Sequence, residues 1–412
     1  MLDVKDIRKD FPMYSLHNGE YDNKPLHYLD NAATSFKPSV VINKINEYYN
    51  NYSANTKRSD YSLAYKIDQE FEEARKIVAS FINANIDEVA FTSGATMSLN
   101  EIAYSLLYEL KEGDEIILSY NEHASNVLPW YNIAKMKRCK IVFAPSDKKG
   151  VITPNNLSKV ITKKTKVVSL ASVTNVLGVR QPIKELVKIT HNNNALFVCD
   201  GAQEAPHHKI DVKDTNVDFL ALSSHKMVGP TGVGLLYVKK EVQNKIWPFI
   251  YGGEMNSRFD SSLNVSLKEF PLSFEAGTQN IAGILGFAEA CKYLNNIGLE
   301  EIEKHEKSLK TYAIKQLKEM KNIILYNDFN DSGIITFNVK DIHAQDVATF
   351  LSSNNVFIRS GNHCAKLLPE VLNVNSTCRA SLYLYNDFSD IDALVSSLKK
   401  SGDFLDVYFW YY

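Results

Sequence analysis

At 412 residues, 45% hydrophobic and 23% charged, the chain has the composition of a globular protein with room for one large core and a smaller one, and fits no disordered or fibrous class. A formal net charge of -2 leaves no basic surplus to neutralise a phosphate backbone, which argues against nucleic acid as a partner. No apolar run reaches membrane-spanning length and the first eleven residues are charged throughout, so no membrane segment and a cytoplasmic location are expected.

Residues 1–25 read as a polar N-terminal segment with short helical stretches, expected to pack with a small C-terminal domain. The run 26–30 and the turn-like Asn31-Ala32-Ala33-Thr34 follow, then helical spacing over 38–52 and 66–82. From residue 88 the rhythm changes. Short apolar, β-branched runs recur at 89–92, 115–119, 140–144, 166–171, 196–199, 217–222 and 233–238, separated by helical patterns or polar loops. Continuous apolar strands alternating with helices predict an α/β fold, a seven-stranded mainly parallel sheet covered on both faces, in a large domain spanning 26–280. The last run follows a Gly/Pro turn too short for a crossover, so that strand is expected to run antiparallel to its predecessor.

The texture then shifts again. Residues 281–294 are apolar enough for a buried connecting helix, and 299–320 place Ile302, Leu309, Ala313, Leu317 and Met320 on one helical face. Strand-like 333–339, 356–359 and 380–384, with helical 344–352 and 391–400, predict a small α+β domain within 281–412. The aromatic tail 404–412 is expected to pack against the body or a partner subunit.

In an open α/β sheet, ligands bind beyond the carboxyl ends of the strands, and here those ends carry the reactive residues. After the first comes Ser93-Gly94-Ala95-Thr96, opening a helix; after the second, His123; after the fourth, Asn175; after the fifth, Asp200 and Gln203; after the sixth, Ser223, His225 and Lys226. A lysine ending a buried strand is costly unless it is exposed or used. The use that suits it is a Schiff base with an aldehyde cofactor, and the other strand ends match the parts of pyridoxal phosphate. A glycine turn opening a helix presents free N–H groups to a phosphate, helped by Thr96, Ser223 and His225. Asp200 is placed to keep a pyridine nitrogen protonated. His123 could stack on the ring and move protons, and Asn175 and Gln203 could bond the phenolic oxygen and the substrate.

Five cysteines, Cys139, Cys199, Cys291, Cys364 and Cys378, are scattered without a Cys-x-x-Cys pair, so neither a disulfide framework nor a metal site is indicated. Cys139, Cys199 and Cys291 lie in apolar patterns and read as core residues, and Cys378 as structural. Cys364 ends the polar loop Arg359-Ser360-Gly361-Asn362-His363-Cys364, where a thiol is accessible and both Arg359 and His363 are expected to favour the thiolate.

Over nearly its whole length the sequence resembles the class V, fold-type I pyridoxal-phosphate enzymes, and within them the cysteine desulfurases of the SUF type, called group II. The resemblance rests on Tyr28-Leu29-Asp30-Asn31-Ala32-Ala33-Thr34, Cys199-Asp200-Gly201-Ala202-Gln203, Ser224-His225-Lys226-Met227, Phe274-Glu275-Ala276-Gly277-Thr278, Cys364-Ala365 and Cys378-Arg379-Ala380-Ser381-Leu382. It implies Lys226 as the Schiff-base lysine, Asp200 as pyridinium partner, His123 as the stacking residue and Thr96, Ser223 and His225 as phosphate ligands. It also implies a homodimer in which Gly277 and Thr278 reach the neighbouring subunit's phosphate. Asn175 and Arg379 would hold the carboxylate of L-cysteine, with Arg359 bordering the pocket. Cys364 would receive the sulfur as a persulfide, for transfer to an acceptor protein and iron–sulfur cluster assembly. The short span from Cys364 to Arg379 resembles group II, and Gly252-Gly253-Glu254-Met255 matches a family hairpin at the site's mouth. Asn55-Thr56-Lys57-Arg58-Ser59 departs from the family's usual Asn-Val-His-Arg-Gly. A selenocysteine lyase or a cysteine sulfinate desulfinase of the same fold, and more remotely a catalytically silent scaffold, stand as the alternatives.

Overall fold

In this computed structural model residues 1–56 and 60–408 are described, with side chains as far as residue 400. Seven strands form the central sheet: β1 (Val89–Thr92), β2 (Glu115–Ser119), β3 (Lys140–Ala144), β4 (Thr165–Ala171), β5 (Leu196–Asp200), β6 (Phe219–Ser223) and β7 (Gly234–Val238). Their order is β1-β7-β6-β5-β4-β2-β3. β2 to β6 pair in parallel, and β7 runs antiparallel to both neighbours, β1 and β6. The single reversal follows from the short link after β6, as expected from the Gly/Pro turn. Because β7 is inverted, its first residue, Gly234, sits at the rim where the other strands end, paired with Thr92 and Ser223.

Burial of both faces explains the continuous apolar runs. One face packs Phe91, Val168, Phe197, Leu220 and Leu235 against the helices Ser62–Phe81 and Ile281–Ile297, the latter apolar on nearly every side. The other packs Ala90, Leu118, Val198, Ala221 and Leu236 against Ala95–Ser105 and Leu128–Lys137, with Trp130 fully buried. No helix among the described residues is long and apolar enough to cross a membrane.

After the helices comes an antiparallel four-stranded sheet of β8 (Ile323–Leu325), β9 (Ile334–Val339), β10 (Arg359–Gly361) and β11 (Thr377–Ser381), in the order β8-β9-β11-β10. Helices Leu299–Lys318, Ala344–Ser353 and Phe388–Tyr408 accompany it, with a core around Phe337, Leu351, Ala380 and Leu394. The N-terminal helix Val4–Asp10 bonds here: Arg8 donates to Tyr385 O at 2.8 Å and pairs with Asp390 at 2.8 Å. The strap 28–35 joins the two sheets. Ala32 N–H donates to Ser381 Oγ at 2.9 Å, and Thr34 Oγ1 to the carbonyl of His225 at 3.1 Å. This strap holds the small sheet over the rim of the large one.

Candidate active site

The turn expected to take a phosphate is built by two glycines pressed together. Gly94 has a φ of 147°, a conformation that suits a residue without Cβ, and it crosses directly over Gly234. A Cβ on Gly234 would lie 2.4 Å from Gly94 Cα. The turn feeds the helix Ala95–Ser105, whose first N–H groups have no intrahelical partner. Ser223 Oγ takes the N–H of Ala95 at 2.8 Å. Thr96 Oγ1 lies 2.7 Å from Ser125 Oγ, which in turn lies 3.0 Å from His123 Nδ1. Ser125 was not singled out from sequence, where only its position two residues after His123 marks it. Its own N–H donates to His123 Nδ1 at 3.1 Å, so the proton of the neutral ring sits on Nε2.

A cavity of about 150 Å³ opens beneath this turn. Ala95, Thr96, His123, Asn175, Asp200, Gln203, Ser223, His225, Lys226, Arg359 and Arg379 all line it, so residues drawn from five strand ends and the small sheet converge as expected. Ala32, Ala33, Ala171 and Ala202 are also in the wall, with Ser125, Val173 and His363; the alanines' small side chains leave the space, and nothing in their residue type announced it. Asp200 is buried at the end of β5 and accepts the N–H of Ala202 at 3.0 Å. Burial raises its pKa, against the pull of that hydrogen bond and of Lys226. Burial likewise lowers Lys226, to about 8; the charge of Asp200 opposes this, while Arg379 and Arg359 reinforce it. Burial, with the cations Lys226, Arg359 and Arg379, brings His123 down to about 4, and burial with Lys226 and Lys37 does the same to His225. Both imidazoles are therefore neutral near pH 7.

On the far side stands Arg379, on β11. Its Nη1 donates to Asn175 O at 2.8 Å, its Nη2 pairs with Asp30 at 3.1 Å, and its buried Nε has no partner among the described residues. Asn175 donates Nδ2 to the carbonyl of His363 at 2.7 Å, leaving Oδ1 buried and unpartnered. One of the two Nδ2 hydrogens is spent on that carbonyl, so the amide keeps a second donor as well as the unpartnered acceptor. Gln203 is arranged similarly: Nε2 donates to Ala32 O at 2.8 Å and Oε1 is left without a partner.

Cys364 is exposed, in a left-handed turn with φ 59° next to His363 at φ 49°. Arg359 Nη2 lies 3.6 Å from its Sγ. The expectation that His363 also charges the loop is not met. His363 is buried, bonded through Nε2 to Thr377 O at 3.0 Å, and driven down to about 3 by burial and the nearby arginines, so it is neutral. Arg359 alone of the pair brings positive charge to the thiol.

Gly277 and Thr278 lie outside this cavity. Thr278 lines a second one of about 230 Å³ with Ser93 and Glu101, and accepts a hydrogen bond from Asn55 Nδ2 at 3.4 Å. Lys57 and the side chains of the aromatic tail fall outside the described residues. Gly252-Gly253-Glu254-Met255 immediately precedes a real hairpin, Asn256–Phe259 with Val265–Leu267. Cys199, Cys291 and Cys378 are buried, but Cys139 is only half-buried, its Sγ donating to Lys111 O at 3.3 Å. It precedes β3, an edge strand, so the apolar pattern around it is covered on fewer sides.

Comparison with known proteins places the chain by family and fold. The aminotransferase class-V family matches residues 27–394. A probable cysteine desulfurase of Halalkalibacterium halodurans is 42% identical over 405 residues, covering 98% of this chain and 99% of the relative. One of Staphylococcus epidermidis is 41% identical over 412 residues, covering 99% of each. Among solved structures, the apo cysteine desulfurase of Thermococcus onnurineus NA1 superposes with a TM-score of 0.92 at 36% identity, covering 97% of this chain and 98% of that one. An Escherichia coli cysteine desulfurase does so at 0.90 and 30% identity, covering 98% and 99%. With an α/β sheet whose strand ends meet in one polar cavity, and relatives named cysteine desulfurases along its full length, the chain belongs to the aminotransferase class-V family.

Proposed function

We propose that this chain is a cysteine desulfurase that holds pyridoxal 5'-phosphate in the 150 Å³ cavity, takes the sulfur of L-cysteine onto Cys364 and hands it to an acceptor protein. The observation that carries the reading is a single cavity lined by Lys226, Asp200, His123 and Arg379, with the Cys364 thiol beside the guanidinium of Arg359. The residues fit the cofactor. The buried, unpartnered Gln203 Oε1 awaits a donor, Asp200 suits a protonated pyridine nitrogen, and the helix opening after Gly94 suits a phosphate with Thr96, Ser223 and His225. When bound, the cofactor supplies an electron sink for the substrate's Cα.

The chain's own groups do the rest. Lys226, a neutral amine for a large fraction of the time near pH 8, would hold the cofactor's aldehyde carbon and move the α-proton of L-cysteine. His123 offers a neutral ring face and an Nε2–H. Arg379 and Arg359 orient the carboxylate, and Asn175 Oδ1 accepts from the amino end. Cys364 Sγ attacks the substrate sulfur: the S–S bond forms, the C–S bond breaks, and the carbon that keeps the electron pair is protonated to give alanine. Exposure of Cys364 suits collection of its persulfide by a docked acceptor serving iron–sulfur cluster assembly, as in the SUF-type enzymes. The position of Thr278 on a separate cavity suits a homodimer in which Gly277 and Thr278 serve the neighbouring subunit's phosphate.

The test is mass spectrometry of the cofactor-loaded protein after incubation with L-cysteine. One added sulfur on the peptide holding Cys364, with stoichiometric alanine, is the expected result; sulfur on other cysteines instead, or alanine release unaffected by Cys364→Ala, would refute the assignment.

A further inference from the structure

A row of side chains crosses the small sheet at the level of the cavity. Thr336 on β9 is the register partner of Arg379 on β11, and Arg359 on β10 is the partner of the same Arg379. Directly paired residues of an antiparallel sheet share a face, so all three side chains rise from one face at one height. Each grips something. Arg359 reaches Cys364, Arg379 donates to Asn175 O, and Thr336 Oγ1 donates to Val176 O. Two of the three therefore hold the same turn of the large sheet, residues 174–178.

Asn327 completes the hold. It is fully buried, and its Nδ2 donates to Leu177 O and to Ile334 O, each at 2.9 Å, while its Oδ1 accepts the N–H of Thr336 at 2.9 Å. Asn330 adds a second donor to Leu177 O at 2.7 Å. The turn presses close: a Cβ on Gly178, which has a φ of 62°, would lie 2.0 Å from Ser332 Oγ. Consecutive carbonyls at 175, 176 and 177 thus each accept from a side chain of the small-sheet region.

This arrangement bears on Arg379. A guanidinium bonded only to a carboxylate can pivot about that contact; one also bonded to a fixed carbonyl has its plane set. Asp30 supplies the first contact and Asn175 O the second. Since the position of Asn175 O is fixed through its neighbours' bonds, we infer that Thr336 and Asn327 are positioning residues that aim Arg379 at the substrate's carboxylate, and so determine the preference for an α-amino acid over an amine. This rests on the reading of Arg379 as the carboxylate clamp.

The experiment uses the cofactor-loaded enzyme and two probes, L-alanine and cysteamine, which is cysteine without its carboxylate. Binding is read from the change in the visible absorption band. Thr336→Val keeps the volume and removes the hydroxyl; we expect L-alanine to bind about five- to tenfold more weakly, as for the loss of one buried hydrogen bond, with cysteamine binding unchanged. Asn327→Ala should behave alike, and Thr336→Ser should restore the wild-type ratio. A general packing defect would weaken both probes together, and that outcome, or an unchanged ratio in a folded Thr336→Val, overturns the inference. Arg379→Lys is the reference: if it leaves the L-alanine to cysteamine ratio unchanged, the clamp reading itself fails. If Asn327→Ala does not fold, Thr336→Val and its serine counterpart decide alone.

Discussion

Glu275→Gln tests whether the segment bearing Gly277 and Thr278 is fastened electrostatically. Arg75 Nη1 and Nη2 meet Glu275 Oε1 and Oε2 at 2.6 and 2.8 Å, and both side chains are 2% exposed. The N–H of Phe91 also donates to Oε1 at 3.0 Å, and Arg75 Nη1 to Val89 O at 2.8 Å, so the pair ties residue 275 to β1, the strand that leads into the Gly94 turn. The substitution keeps the shape, removes the counter-charge and aims an NH2 group at donors. Glu72, 3.8 Å from Arg75 Nε and 45% exposed, is too distant and too hydrated to replace it. Breaking one side of a buried pair costs about 3–5 kcal/mol. In a unit of this size that is a drop in Tm on the order of 10 °C. Calorimetry of the cofactor-free protein measures it, and the double variant Arg75→Met/Glu275→Leu, which leaves no charge behind, should recover much of the loss. A decrease below about 1 kcal/mol for Glu275→Gln, or a double variant less stable than the single ones, would refute the reasoning.

Gly234→Ala should be worse than Gly94→Ala in cofactor affinity and in soluble yield, because its Cβ meets backbone at 2.4 and 2.5 Å whereas the Cβ at 94 meets only Ser223 Oγ at 3.4 Å; equal effects would contradict the crossing of the two glycines. Cys364→Ser should abolish alanine release from L-cysteine while leaving the visible band of the loaded protein intact, measured by product assay and spectrum. Lys226 has a folded pKa lowered to about 8, so between pH 8 and its ordinary value the unfolded chain binds more protons and folding gains stability as pH rises. Cofactor-free wild type should therefore gain on Lys226→Met in denaturant midpoint from pH 8 to 10, and a constant difference would show that the amine is not desolvated. His123, neutral from about pH 5 upward, should contribute no inflection to the turnover profile in that range.

The large sheet was legible because buried parallel strands read as unbroken apolar runs. The predicted 115–119 coincides with β2 and 196–199 lies within β5, and the antiparallel β7 followed from one short link. The same logic failed where burial is partial. β8, three residues long at a sheet edge with the pattern Ile-Ile-Leu, went unnoticed because its alternation is too brief to separate from the helix before it. Cys139 reads as a core residue from the apolar strand it introduces, but that strand lies at the sheet edge and the residues on either side of the cysteine are Arg138 and Lys140. The site residues on strand ends were legible for a topological reason: in a parallel sheet, whatever follows each strand lands on one rim. Adjacency to a cysteine does not reveal the charge of His363, which burial first and then Arg379 and Arg359 decide.

The electrostatics of the cavity follow from these placements. Lys226, Arg359 and Arg379 line it, faced by Asp200 and by Asp30 at its border, so fixed cations outnumber fixed anions. Histidines in such a place give up their protons, and His123, His225 and His363 all do, each because of burial first and neighbouring cations next. The imidazoles then act as ring faces and single donors and do not add to the surplus. The two guanidiniums keep their charge and offer it to anions without reorganising, whereas Lys226, lowered to about 8 by burial, is the one of the three that can shed its own. A phosphate and a carboxylate are the two anions that the proposed reaction brings together. The separation of duties is spatial: helix opening and Lys226 on the large sheet, arginines on the small one. The strap 28–35 and the side-chain bonds to turn 174–178 are what fix the distance between them.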